Sequence, residues 1–342
     1  MTTARRAASI DERTIDIGPL QLDGGSTLAS VEQRVTIYGT PNAGASNIVF
    51  VPHALTGSSR AADWWPGIVG EGGLYDPQQW CIVGINTLGS CYGSTGPSNR
   101  VDFPRITVRD IVRAQRAVLT RLGIERLAVV IGGSLGGMQA LQWAIDTPER
   151  VEHAVVIGAH DHHSTMGIAL NAIQRECLAL DPVRGLRIAR KLAMLTYKSE
   201  ALLNERHGRD PDRNDPYRFD IEGYLELQAD RFTSRMDAES YATLTHAMDS
   251  FDVRLDDSPP HRAGNTHASE PSRASNPSAL PKITFVGISS DWLFRPQDVR
   301  DAAARLARRG FPTHYTELHS THGHDAFLAE PQTLATLLRT SP

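Results

Sequence analysis

Apolar residues along the chain follow two alternating rhythms. Positions 31–38 alternate apolar and polar, as a half-buried strand does, while 47–51, 80–86, 126–131, 151–157 and 283–288 are short runs rich in Val and Ile. Runs of this kind suit parallel strands buried on both faces. Between them, 108–122, 138–147 and 297–309 repeat apolar positions at helical spacing. Strand and helix in alternation predict an α/β domain, a mostly parallel sheet covered by helices on both sides.

Three segments break the rhythm. Residues 1–30 carry mixed signals and read as an N-terminal extension leading into an edge strand. From about 160 to 255 the pattern is helical throughout, as in 168–180, 184–197 and 221–233, which predicts a helical cap (lid) inserted into the domain. Residues 256–280 are dense in Ser, Pro, Asn, Arg and His and almost free of apolar side chains, a composition that does not repay the entropy of ordering and reads as a flexible linker. The expected division is a core of 31–159 and 281–342, a lid of 160–255 and that linker.

Composition narrows the function classes. The 342 residues carry 35 Lys and Arg against 39 Asp and Glu, a net charge of −4 that gives no electrostatic pull toward nucleic acid or an anionic membrane. No apolar run approaches the length of a spanning helix, and Arg5-Arg6 are not followed by the apolar stretch of a secretory signal. Three cysteines, Cys81, Cys91 and Cys177, form no C-x-x-C pair. These features point to a cytoplasmic globular protein without a disulfide framework or zinc ribbon.

The strongest local motif is Ile131-Gly132-Gly133-Ser134-Leu135-Gly136-Gly137-Met138. A β run ends, a serine follows among glycines, and a helical pattern begins, which is the G-x-S-x-G nucleophile elbow of the α/β-hydrolase fold. Such a serine needs a base, and the base an orienting acid, in the chain order Ser, Asp or Glu, His. Asp291 stands where the strand at 283–288 opens into a loop. His324, next to Gly323 and ahead of helix-forming residues, suits a base on a loop before the last helix; His319 and His322 are the weaker choices. Two backbone N–H groups should face the developing oxyanion, one from Leu135 and one from Leu55 in Pro52-His53-Ala54-Leu55-Thr56-Gly57. His53 is expected to be structural. The run His160-Asp161-His162-His163 does not match a common zinc spacing, so it reads as a loop at the cap entrance and no metal is expected.

With these residues in place, the chain resembles the homoserine O-acetyltransferase family, the homoserine and serine O-acyltransferases of the α/β-hydrolase superfamily. The likeness is carried by the Pro52–Gly57 loop, Asp63-Trp64-Trp65, Asn86-Thr87-Leu88-Gly89-Ser90-Cys91-Tyr92-Gly93, the elbow with Met138-Gln139, Asn171-Ala172-Ile173-Gln174-Arg175, Leu195-Thr196-Tyr197, Ser290-Asp291-Trp292-Leu293-Phe294 and Gly323-His324-Asp325-Ala326-Phe327. The resemblance implies a triad of Ser134, Asp291 and His324. It also implies Arg190 as the guanidinium that grips the acceptor carboxylate, Tyr197 beside it, and Asp325 as the acid that takes the acceptor ammonium. The implied reaction is ping-pong transfer of an acetyl group from acetyl-CoA to L-homoserine, in methionine biosynthesis. Alternatives are succinyl-CoA as donor, L-serine as acceptor, or a serine esterase or thioesterase that hydrolyses instead. The family implies no bound cofactor, acyl-CoA as co-substrate and a homodimer. Two family segments look shortened, near 98–104 and 181–185, and Leu135 replaces a common methionine.

Overall fold

The computed structural model describes residues 9–99, 102–254 and 280–341. Its eight strands are β1 (Ile10–Gln21), β2 (Thr27–Tyr38), β3 (Ile48–Phe50), β4 (Cys81–Ile85), β5 (Leu127–Gly133), β6 (Val151–Ile157), β7 (Lys282–Ile288) and β8 (Thr313–Leu318). They form one sheet in the order β1-β2-β4-β3-β5-β6-β7-β8. β1 pairs antiparallel with β2, and β2 with β4. From β4 to β8 every pairing is parallel.

Helices cover both faces, as the βα alternation requires. α1 (Ala61–Trp64), α2 (Val108–Arg121) and α3 (Leu135–Asp146) precede the cap helices α4 (Thr165–Leu180), α5 (Pro182–Tyr197), α6 (Glu200–His207), α7 (Asp220–Thr233) and α8 (Ala238–Asp249). α9 (Pro296–Arg308), α10 (Ala326–Ala329) and α11 (Pro331–Thr340) complete the core. Alternation along the central strands divides the core in two. Phe50 and Val130 face α2, α3 and α9, while Val49, Val129 and Ile131 face Trp65, Phe327 and Leu334 on the other side. α2 starts on a reciprocal cap, in which Thr107 Oγ1 accepts the Asp110 N–H at 3.1 Å and Asp110 Oδ2 accepts the Thr107 N–H at 3.0 Å.

The cap is helical as expected. α4 and α5 are joined only by Asp181, whose carboxylate caps α5 ahead of Pro182. They pack so closely that a Cβ on Gly185 would strike the Cys177 backbone. Arg175 and Asn171 of α4 both reach Asp249 of α8, at 2.6 and 2.8 Å.

Two strands depart from the sequence reading. Residues 10–21 are not an extension but a full edge strand, with Ile17 and Leu20 its only buried side chains. β8, on the opposite edge, has only Leu318 buried. Edge strands shield one face at most, so their apolar signal is weak. The linker expected at 256–280 falls, apart from Leu280, outside the described residues. No helix among the described residues is long and apolar enough to cross a membrane.

Phe50 is fully buried in the short central strand β3 and meets Trp143 edge-on at 5.7 Å. Phe50→Ala should therefore lower the unfolding free energy by about 3–5 kcal/mol, read by urea denaturation. A loss below about 1 kcal/mol would contradict this packing.

Candidate active site

The turn from β5 to α3 places Ser134 in a conformation that few side chains tolerate, with φ 57° and ψ −125°. Backbone of this kind costs on the order of 1–3 kcal/mol and persists only where its surroundings enforce it. Here the Ser134 N–H donates to the Ile157 carbonyl at 2.9 Å, and the Ser134 carbonyl accepts the Met138 N–H at 3.0 Å. The flanking glycines are required by contact. A Cβ at 132 would strike the Gly136 backbone, and one at 136 the Pro52 carbonyl. Ser134 is 8% exposed and lines a small pocket between the core and the cap.

Asp291 and His324 meet as the sequence suggests. Asp291, just beyond β7, accepts the N–H groups of Leu293 and Phe294 on Oδ1, both at 2.9 Å, which fixes the carboxylate. Its Oδ2 accepts a hydrogen bond from His324 Nδ1 at 2.6 Å, both side chains being buried. Because a carboxylate only accepts, Nδ1 carries the proton and Nε2 presents its lone pair. Burial alone lowers the His324 pKa, but the charge and hydrogen bond of Asp291, with Asp325 adding to them, raise it above its usual value. Phe294 stacks on the imidazole at 5.0 Å, and Phe327 meets it edge-on at 5.9 Å. Nε2 is buried without a partner, and the Ser134 hydroxyl does not hydrogen-bond to it in this state. The arrangement can accept a proton from a hydroxyl brought to Nε2.

Leu55 lines the same pocket, and Leu135 is the first residue of α3, where helix N–H groups lack intrahelical acceptors. A buried polar chain ties the two segments together. The Trp143 indole donates to Gln115 at 3.0 Å, and Gln115 donates to Gln139 at 2.6 Å. Gln139 Nε2 then donates to both the His53 and Leu135 carbonyls at 3.1 Å. His53 has a structural part, as expected. Its Nδ1 donates to the Ala54 carbonyl at 2.7 Å, its Nε2 accepts the Thr87 N–H at 2.9 Å, and burial lowers its pKa to about 4.

Of the residues expected to hold the acceptor, Tyr197 lines this pocket. It packs against His324, with ring centroids 5.8 Å apart, and burial lifts its phenol to about 12. The Arg190 guanidinium lies over Phe232 at 4.9 Å and over Tyr197 at 5.9 Å. Its Nε is buried without a partner, and no ion pair to Arg190 is formed among the described residues. Asp325 is not free: Lys198, the residue after Tyr197, holds its Oδ2 at 2.9 Å. Lys198 was missed by the sequence reading, as were the pocket residues His163 and Tyr241 and a ligand-facing place for Asn171 and Gln174. Among these, His163 accepts from Asn171 at 3.3 Å, and Tyr241 donates to Gln174.

A family model described as the alpha/beta hydrolase fold matches residues 47–331. A homoserine O-succinyltransferase of Neisseria gonorrhoeae is 38% identical over 92% of this chain and 90% of its own length. The chain belongs to the homoserine O-acyltransferase family. A homoserine O-acetyltransferase structure from Staphylococcus aureus superposes with a TM-score of 0.77 at 28% identity, covering 96% of this chain and 94% of that one. The fold alone is shared more widely. Esterase E22 superposes with a TM-score of 0.82 at 21% identity, over 97% of this chain and 99% of its own. On this fold, transfer and hydrolysis must be told apart by the site and not by the scaffold.

Two outcomes are expected. With His324 as the base, kcat/KM rises with pH as the imidazole loses its proton, at a midpoint above 6.5, and Asp291→Asn removes most of the activity; a midpoint below 6.5 would contradict the raised pKa. Gln139→Met unties the two segments expected to supply the oxyanion donors and should lower kcat by about tenfold or more with little change in KM, a part of the 10²–10³ that one oxyanion donor supplies. Unchanged kcat in a folded variant would remove Gln139 from the positioning of the site.

Proposed function

We propose that this protein transfers a succinyl group from succinyl-CoA to the hydroxyl of L-homoserine through an acyl-Ser134 intermediate. His324 Nε2 takes the Ser134 proton as Oγ attacks the thioester carbonyl, and the N–H groups of Leu55 and Leu135 hold the oxyanion. The carbon–sulfur bond breaks, and His324 returns the proton to the CoA sulfur. The acceptor hydroxyl then gives its proton to His324 and attacks the acyl-serine. Collapse breaks the ester bond to Ser134, which regains the proton. Every proton moves between Ser134, His324 and the substrates, so the scheme uses no bound cofactor.

The observation that carries the transferase reading is Arg190, a cation on a cap helix with its Nε buried and unpaired, packed on Tyr197 beside His324. It suits the carboxylate of an amino-acid acceptor, which it can grip through two parallel hydrogen bonds. An acceptor so held outcompetes water at about 55 M through effective concentration. Asp325 keeps Oδ1 for the acceptor ammonium while Lys198 occupies Oδ2. The succinyl donor, and not the acetyl donor first expected, is favoured because the relatives at 38% identity are named homoserine O-succinyltransferases. The free volume beside Ser134 is about 20 Å³. That is near the space of one water.

A homodimer built on the cap is part of this reading. Met166, Ile173 and Leu180 of α4 and Val183, Ile188 and Leu195 of α5 are exposed, Leu180 by 83% and Val183 by 70%. An apolar array of this kind on a helix pair suits association with a second copy.

The test is CoA thiol release from succinyl-CoA and from acetyl-CoA, each with L-homoserine, L-serine or no acceptor. Release should require L-homoserine and yield its O-succinyl ester, with kcat/KM for succinyl-CoA at least tenfold above acetyl-CoA. Release that ignores the acceptor would establish a thioesterase, and preference for acetyl-CoA would reverse the donor assignment. Arg190→Met should raise KM for the acceptor by about 10–100-fold, as expected for losing a charged hydrogen bond.

A further inference from the structure

A second cluster lies at the base of the cap, where the chain leaves β6 for α4. His160, His162, Ser164, Asp298, Asp301 and Arg305 border a cavity of about 170 Å³. His160 is 1% exposed, and both of its ring nitrogens are buried without a partner. An imidazole left so is expensive, on the order of 1–3 kcal/mol for each unsatisfied group, and it lines this cavity. His162 is presented differently. Its Nδ1 donates to Asp161 Oδ1 at 2.8 Å, which leaves the Nε2 lone pair outward. Asp161 is itself fixed by Arg305, whose Nε and Nη2 reach its two oxygens at 2.6 and 2.8 Å. A histidine whose other nitrogen is tied to a carboxylate has its tautomer and ring orientation set for metal ligation.

One ligand-capable atom from each of His160, Asp161 and His162 lies within 4.8 Å of the other two. We propose that His160 and His162 bind a divalent transition-metal ion of the zinc type at the base of the cap, with Asp161 orienting His162 or completing the ligand set. Nitrogen donors of neutral imidazole suit Zn²⁺, Co²⁺ and Ni²⁺ over Mg²⁺ or Ca²⁺. Among the residues lining the cavity, the carboxylates of Asp298 and Asp301 balance the guanidinium groups of Arg295 and Arg305. The sequence reading set this run aside because its spacing matches no common zinc motif. The fold changes that by burying one histidine unpaired beside another already oriented.

The site has a structural consequence. The segment leaving the core and the segment returning to it meet here: His162 bridges Asp252, the His163 N–H donates to the Phe251 carbonyl at 2.9 Å, and the Val253 N–H to the Asp161 carbonyl at 2.8 Å. A bound ion would fix the outgoing segment, whose backbone is hydrogen-bonded to the returning one, and the next residue, His163, lines the pocket of Ser134.

The experiment uses the full chain without an affinity tag, stripped with a chelator and titrated with Co²⁺ and then Zn²⁺. Expected are one ion per chain, Co²⁺ visible absorption that Zn²⁺ removes, and a raised melting temperature. His160→Gln and His162→Gln should each weaken binding at least tenfold, while His319→Gln on the surface leaves it unchanged. If His160→Gln fails to fold, the more exposed His162 decides the matter. Absence of saturable binding, or wild-type affinity in His162→Gln, overturns the proposal.

Discussion

The backbone of Ser134 is the constraint on which the rest of the structure depends. A serine at φ 57° is held there by a hydrogen bond to β6, by the first turn of α3 and by two glycines that admit neighbouring backbone. The strain is offset by burial around it: β3, β5, β6 and β7 are covered on both faces, and α3 is almost wholly inside. The same turn that strains the serine delivers the N–H of Leu135, so the proposed nucleophile and oxyanion donor come from one local geometry. Gln139, one turn along α3, carries that order to the opposite loop by bonding the His53 carbonyl.

The second constraint is the contact between the cap and the base. Gly323, ahead of His324, lies against the backbone of Lys198 and Ser199 so closely that a Cβ there would collide with both. Lys198 also holds Asp325, and Tyr197 packs on His324. The C-terminal end of α5 is therefore fastened to the loop of the base by packing and by charge. The proposed acceptor contacts on α5 and the Nε2 of His324 are therefore coupled, and the cap cannot shift far without disturbing both.

Much of this was legible in the sequence, for physical reasons that differ by residue. Ser134, Asp291 and His324 could be singled out because each sits in a local context, a strand end, a turn or a helix start, that the sequence writes out. The central strands were found because burial on both faces demands continuous Val and Ile. β1 was missed because Ile17 and Leu20 are its only buried side chains, and polar residues cover the rest. Lys198 on Asp325, and the two carbonyls bridged by Gln139, join segments distant along the chain, and no local pattern encodes them. The donor was the least legible choice for a related reason: one carboxylate separates succinyl from acetyl, and no local pattern in the sequence says what would receive it.

The central claim is that Ser134 carries the acyl group and passes it to an amino-acid hydroxyl. Peptide mass spectrometry of the enzyme mixed with succinyl-CoA alone, then quenched before and after addition of L-homoserine, tests it directly. The account predicts a succinyl group on Ser134 that persists without acceptor and disappears when homoserine is added, with O-succinyl-homoserine as the product. An unmodified Ser134, or a succinyl-serine lost to water equally fast with and without homoserine, would contradict it.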